Sequence, residues 1–264
     1  MLEKKTSSTV GSVTRALNLV DYVMTGPSEG LTLTEIAREM KSSKSAALAT
    51  LRTLVEHGYL RMSEPGPRYL PGMSLIRLGD LASARDPIAS VSRPIMNDLN
   101  KKTGLTVRIA RNDDGYPVFV DRVDGPGVVR FFTPLGVREY PHVSSVGKAI
   151  LAELPDERIR EIAEECGLAA RTPKTITSLT KLMADIRQIR KRGYGIDDEE
   201  DAQGVVCIGA AFYDHFGNCA GGISATGLKS ELSPEKIEKM GLKILKHAEA
   251  ITQKLGGKVK VRGQ

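Results

Sequence analysis

Apolar residues in the first part of the chain recur with helical spacing and are punctuated by strong turn formers. Val13, Ala16, Leu17, Val20, Val23 and Met24 repeat at intervals of three and four, which predicts a helix stopped by Gly26-Pro27. Thr32-Leu33-Thr34-Glu35 has the form of a capping box and opens a short second helix with Leu33, Ile36, Ala37 and Met40 inward. Ser42 and Ser43 can cap a third, whose buried stripe is Ala47, Leu48, Leu51, Leu54 and Val55, with Gly58 as its stop. Tyr59–Met62, the turn Glu64-Pro65-Gly66-Pro67, and Arg68-Tyr69-Leu70 then read as a hairpin. Helix, helix-turn-helix and hairpin in that order describe a winged helix-turn-helix.

The pattern changes beyond the hairpin. Leu75, Ile76, Leu78 and Leu81 predict a helix that breaks at Asp86-Pro87. Pro94–Lys102 reads as helix, and Leu105–Ala110 and Pro117–Val123 as strands around Asn112-Asp113-Asp114-Gly115. Val128–Phe132 reads as a further strand, and Val146–Leu154, Asp156–Cys166 and Thr180–Gly193 as helices. Val205–Tyr213 and Cys219–Thr226 read as strands, and a last helix runs from Ser233-Pro234 to Gly256-Gly257. The expected fold class is α+β. Its parts are a disordered arm at 1–10, a winged helix-turn-helix of three helices plus a β-hairpin wing at 11–72, a linker helix at 73–87 and a larger α/β domain at 88–264.

Composition narrows the functional classes. The 264 residues carry a net charge of +6, which suits a polyanionic partner without requiring one. Cys166, Cys207 and Cys219 form no CxxC pair, which argues for a reducing compartment. His57, His142, His215 and His247 lack metal-ligand spacing, so no metal and no cofactor is expected. The start, MLEKKTSSTV, lacks the apolar core of a signal peptide, and no apolar run is long enough to span a membrane. The expected location is cytoplasmic.

The chemistry concentrates in two places. In a helix-turn-helix the second helix enters the major groove by its N-terminal end, here Ser42-Ser43-Lys44-Ser45-Ala46. Short hydroxyls and one lysine suit phosphates and base edges. Lys41, Lys44, Arg52, Arg61 and Arg68 outweigh Glu56 and Glu64 across this segment, and Arg61 and Arg68 would place the wing over a backbone or minor groove. A protein- or RNA-binding winged helix is the alternative. An enzyme using Cys207 with His142 or His215 finds no support in spacing. Lys148 follows Gly147 as in a phosphate loop, but His142 and Ala149 occupy positions that motif needs as Gly and Ser or Thr.

At this point the sequence resembles the IclR family of bacterial transcription regulators over nearly the whole chain. The N-terminal resemblance rests on Arg15-Ala16-Leu17, Leu33–Ala37, Lys44-Ser45, Leu51–Leu60, Tyr69–Gly72 and Leu75–Gly79. Family members often carry an arginine where this chain has Ala49; Arg52, further along the same face, is the candidate replacement. In the C-terminal half Ser144–Leu151, Gly193–Glu200 running into Gly204–Cys207, and Gly221–Gly227 are similar to the family's effector-domain signatures. The resemblance implies a GAF-like effector-binding domain, a homodimer or tetramer on a pseudo-palindromic operator, and repression of a catabolic operon. It implies Arg15 among the DNA contacts. It also implies a pocket for a small organic acid, sugar acid or aromatic catabolite, formed by Ser145, Val146, Gly147, Asp197, Val205, Cys207, Ser224 and Thr226.

Overall fold

A computed structural model of the chain describes residues 10–64 and 66–259, with backbone alone at 83 and 84. Most of the expected arm and Pro65 of the expected wing turn therefore lie outside the described residues. The chain divides into two compact units, one ending at Ala82 and the other beginning at Ser83.

The first unit contains α1 (Gly11–Met24), β1 (Leu31–Thr32), α2 (Leu33–Glu39), α3 (Lys44–Glu56), β2 (Leu60–Ser63) and β3 (Arg68–Pro71), and α4 (Met73–Ala84) follows. The capping box forms in full: Glu35 N–H donates to Thr32 Oγ1 at 3.3 Å, and Thr32 N–H donates to the Glu35 carboxylate at 2.7 Å. That bond from the Thr32 backbone holds the Glu35 carboxyl below its ordinary value. Lys41, in the turn between α2 and α3, takes a left-handed backbone with φ +47°. The hairpin gains a strand that periodicity missed, because β1 is only two residues long: Leu31 pairs with Tyr69 and Thr32 with Arg68. Leu19, Val23, Ile36, Leu51, Leu60 and Tyr69 form the core. Alpha-1 is apolar on a second face as well, where Val13 and Leu17 stand 55% and 59% exposed.

The second unit contains α5 (Pro87–Thr103), β4 (Thr106–Asp113), β5 (Tyr116–Val123), α6 (Ser145–Leu151), α7 (Asp156–Cys166), α8 (Leu179–Arg192), β6 (Gly195–Asp198), β7 (Val205–Tyr213), β8 (Cys219–Leu228) and α9 (Pro234–Lys254). The strands form one antiparallel sheet in the order β5-β4-β8-β7-β6. Alternation along each strand separates its two faces. Val107, Ile109, Ile208, Phe212, Ile223 and Ala225 meet Met96 and Leu99 of α5 and Ile244 and Ile251 of α9. The opposite face carries α6, with Ala110 and Phe119 against Val146 and Ile150.

Three expectations are corrected. Asp86-Pro87 starts a helix as well as ending one: Asp86 Oδ1 accepts the Ile88 N–H at 2.8 Å, and Pro87 sits where a helix has no N–H to lose. Helix α5 thus begins seven residues before the expected Pro94, which it contains internally. Val128–Phe132 is not a strand. Pro126-Gly127 and Pro134 flank it, Val128 is 97% exposed, and among the described residues no strand pairs with it. Gly195–Asp198, which lies in none of the expected strands, is an edge strand paired with β7.

Candidate functional site

The expected DNA-reading residues gather at the start of α3. Ser43 is the N-cap: its Oγ accepts the Ala46 N–H at 3.2 Å and lies 3.0 Å from Ser45 Oγ. Ser42 is half-buried, and its Oγ has no hydrogen-bond partner among the described residues. Arg15 on α1 lines a cleft of about 290 Å³ together with Ser42, Ala46, Ala49 and Thr50. Lys44, Ser45 and Ala46 are exposed on the first turn, and Ser45, Ala49 and Arg52 continue as one exposed stripe. Small residues at that end leave the helix axis free to approach a groove closely. Arg61 is exposed on β2. Arg68 is partly committed, since its Nη1 donates to Gly30 O at 2.8 Å. Among the described residues Arg15, Lys44, Arg52 and Arg61 make no ion pair, whereas the second unit is laced with them.

The residues expected to bind an effector lie on the α6 side of the sheet. Register aligns them in two rows. Asp197, Cys207, Thr226 and Thr106 stand opposite one another across β6, β7, β8 and β4, and Gly195, Gly209, Ser224 and Arg108 form the next row. Val205 shares the face two residues before Cys207. The glycine end of the second row is where α6 lands. A Cβ on Gly195 would meet Ser145 O at 2.3 Å, and one on Gly209 would meet Val146 N at 2.8 Å. Ser145, Val146 and Gly147 are therefore buried, and the Gly147 amide is already spent on Ser144 Oγ at 3.3 Å. That amide is therefore not free for a ligand at this helix start.

The first row is polar and interlinked. Thr226 Oγ1 donates to Cys207 Sγ at 3.2 Å. Asp197 Oδ1 accepts the N–H groups of Glu200 and Asp201 at 2.7 and 3.3 Å, while burial pushes its carboxyl up to about 6. Burial, then the charge of Asp197, pushes the Cys207 thiol well above its ordinary value. That is the reverse of what a nucleophile needs. His142 does not reach it: its ring lies 3.7 Å from Cys166 Sγ and 3.1 Å from Ala169 O. His215 is exposed on a turn. Sequence reasoning missed Thr106 and Arg108, which share this face. The signal was available, as Thr106, Arg108 and Ala110 alternate with Val107 and Ile109.

Lys148 takes a role unlike a phosphate-loop lysine. Fully buried, its Nζ donates to both Glu200 oxygens at 2.6 and 2.7 Å and pairs with Asp185 at 2.9 Å. Among the described residues no group of three or more His, Cys, Asp or Glu could hold a metal, and no helix is long and apolar enough to cross a membrane.

Known proteins agree with this arrangement. The IclR helix-turn-helix domain matches residues 12–63, and the bacterial transcriptional regulator IclR C-terminal domain matches residues 81–253. The transcriptional repressor IclR of Escherichia coli is 30% identical over 251 residues, 94% of this chain and 91% of that protein. The repressor AllR of Klebsiella pneumoniae is 33% identical over 185 residues, 70% and 68% of the two chains. The crystal structure of the Thermotoga maritima IclR superposes with a TM-score of 0.80 at 31% identity, covering 93% of this chain and 98% of that one. A capped helix-turn-helix with unpaired cations, an effector-type α/β domain and these relatives lead to one conclusion: the chain belongs to the IclR family of bacterial transcription regulators.

Proposed function

We propose that this chain is a cytoplasmic repressor of a catabolic operon that binds a pseudo-palindromic operator as a dimer or tetramer and is controlled by a small organic effector. The observation that carries the DNA reading is the set of exposed, unpaired cations around the α3 N-terminus. Lys44 is the simplest test. Each phosphate contact releases counterions, so losing one lowers the magnitude of the salt slope by about 0.9. Lys44→Ala should weaken duplex binding uniformly across sequences and flatten that slope by about one unit per protomer, read by fluorescence anisotropy over a salt series. Unchanged binding removes Lys44 from the interface.

Repression is the reading favoured by the names of the relatives, IclR and AllR both being repressors. The second apolar face of α1 supports an oligomer. Val13 and Leu17 lie one turn apart, and they line a groove of about 430 Å³ with Ala16, Ala49 and Leu54. In a helix-turn-helix dimer the two reading helices bind half-sites about 34 Å apart. Leu17→Glu should yield monomers in sedimentation velocity and reduce operator affinity at least tenfold, because a half-site binds alone. A dimer that survives this substitution assigns the pairing to another surface.

Effector control follows if a ligand on the Asp197–Thr226 row binds the free and operator-bound states unequally. Operator affinity measured with and without saturating ligand tests it directly.

A further inference from the structure

We propose that Arg108 is the anion anchor of the effector site, a guanidinium that receives the carboxylate of a small monocarboxylic acid; this rests on the effector-site reading above. Arg108 sits on β4 directly opposite Ser224 of β8, on the same face as Cys207 and Thr226. Its Cζ lies 5.7 Å from the centroid of the Phe119 ring, which fixes the head over the α6 side of the sheet. The Nε is buried and has no hydrogen-bond partner, and no nitrogen of this guanidinium bonds or ion-pairs with the described residues. Nearby arginines behave otherwise: Arg93 holds Asp121, Arg111 holds Asp86 and Arg122 holds Asp124. A buried donor without a partner is destabilising in proportion to the hydration it has lost. Such a group is retained where something else supplies the acceptor.

The donor geometry selects the ligand. A guanidinium edge offers two parallel N–H groups that match the two oxygens of a carboxylate. Surrounding charge limits the ligand to one negative unit. Glu139 lies within electrostatic reach of Arg108 without pairing to it, and the charges of Asp197 and Asp201 act on Glu139 as well, with Arg171 the other cation nearby. A phosphate ester, carrying close to two charges at neutral pH, would press its second charge on these acids. A monocarboxylate is neutralised by Arg108 alone, and the Ser224 hydroxyl stands across from the anchor for its remaining lone pairs.

The test compares full-length wild type, Arg108→Gln and Ser224→Ala by thermal shift and calorimetry. The probes are small monocarboxylates from acetate, pyruvate and lactate to benzoate, each beside its neutral amide, with phosphoglycolate as the dianion. At matched ionic strength at least one acid should stabilise the wild type more than its amide does, and phosphoglycolate should not exceed it. Arg108→Gln should weaken that acid about 10- to 100-fold. Acids no better than amides, or an acid that binds Arg108→Gln as it binds wild type, overturn the anchor. If amides bind and Ser224→Ala abolishes them, the pocket stands while the anchor falls; if neither acids nor amides bind, both fall. Arg108→Leu supplies a readout without ligand. Removing an unpartnered guanidinium should leave the melting temperature unchanged or raised, and a drop of several degrees would instead assign Arg108 a packing role against Phe119 and overturn the proposal.

Discussion

Replacing Lys148 with methionine is expected to lower the stability of the second unit by about 3–5 kcal/mol at neutral pH. The side chain is fully buried and is bound by Glu200 and Asp185. Asp185 keeps Arg192 at 3.5 Å when Lys148 is gone, but Glu200 is left as a largely buried carboxylate without its cation. The loss spreads to the segment behind it. Thr172 Oγ1 donates to Glu199 O at 2.7 Å, Thr175 Oγ1 to Glu200 O at 2.6 Å, and the Glu200 N–H to Asp197. These bonds tie the segment to Asp197, the acid of the polar row. For a unit of this size each kcal/mol moves the midpoint by about 2–4 °C, so melting should shift down by roughly 10 °C.

The pH dependence distinguishes an unpaired charge from a simple cavity. Burial already pushes Glu200 up to about 7 against the pull of Lys148. Without that cation the carboxyl rises further and is protonated throughout at pH 5.5, where the penalty shrinks. The deficit of Lys148→Met should therefore be smaller at pH 5.5 than at pH 7.5, and Glu200→Gln added to it should restore much of the loss. An equal deficit at both pH values would reduce Lys148 to a volume effect. In the wild type the sign is the same. Glu139 and Glu200, up to about 7, and Asp197, up to about 6, bind protons more tightly folded than unfolded. Their contribution is present at low pH and is lost as pH rises towards 7. His142, held below its ordinary value by burial, runs the other way as pH falls below about 6.5.

The joint variant Lys44→Ala/Arg52→Ala/Arg61→Ala is expected to lower operator affinity on the order of a thousandfold at physiological salt. In a dimer it deletes six cations, which should reduce the magnitude of the salt slope by about five. All three side chains are exposed and unpaired among the described residues, so the fold should survive, with each change worth less than about 0.5 kcal/mol. A circular dichroism melt beside the binding curve separates lost contact from lost structure. Arg52 carries an additional expectation. It continues the Ser45–Ala49 stripe, so its single replacement should relax base preference, whereas Lys44→Ala should not. An unshifted salt slope in the triple variant would move the interface off α3.

Much of this was legible in the sequence where one physical signal dominates. The capping box at Thr32 and Glu35 and the periodicity of α3 each carry a helix without help from tertiary contacts. The signals that failed were ambiguous in kind. Asp-Pro marks both a break and a helix start, and only the Asp86 hydrogen bonds decide between them. Val128–Phe132 has strand composition but no neighbour to pair with. Beta-1 is too short to show a period, and β6 gains its identity from pairing with β7. The strand residues proposed for the effector site stand out as motifs, and their alignment into rows is a property of register, which no local pattern encodes. For the same reason Arg108 escaped notice until its neighbours across the sheet were known. Lys148 shows the limit from the other side: its failure as a phosphate-loop residue could be read from His142 and Ala149, while its partners, 37 and 52 residues away, could not.

The central claim is that the first unit is a cationic reading head for duplex DNA. Its most direct test is the affinity of the intact chain for duplex fragments of its own genome over a series of salt concentrations. The account predicts that log affinity falls steeply and linearly with log salt, and that one fragment is retained at salt concentrations that release the rest. Absence of salt-sensitive attachment to every fragment, with or without small acids present, would contradict it.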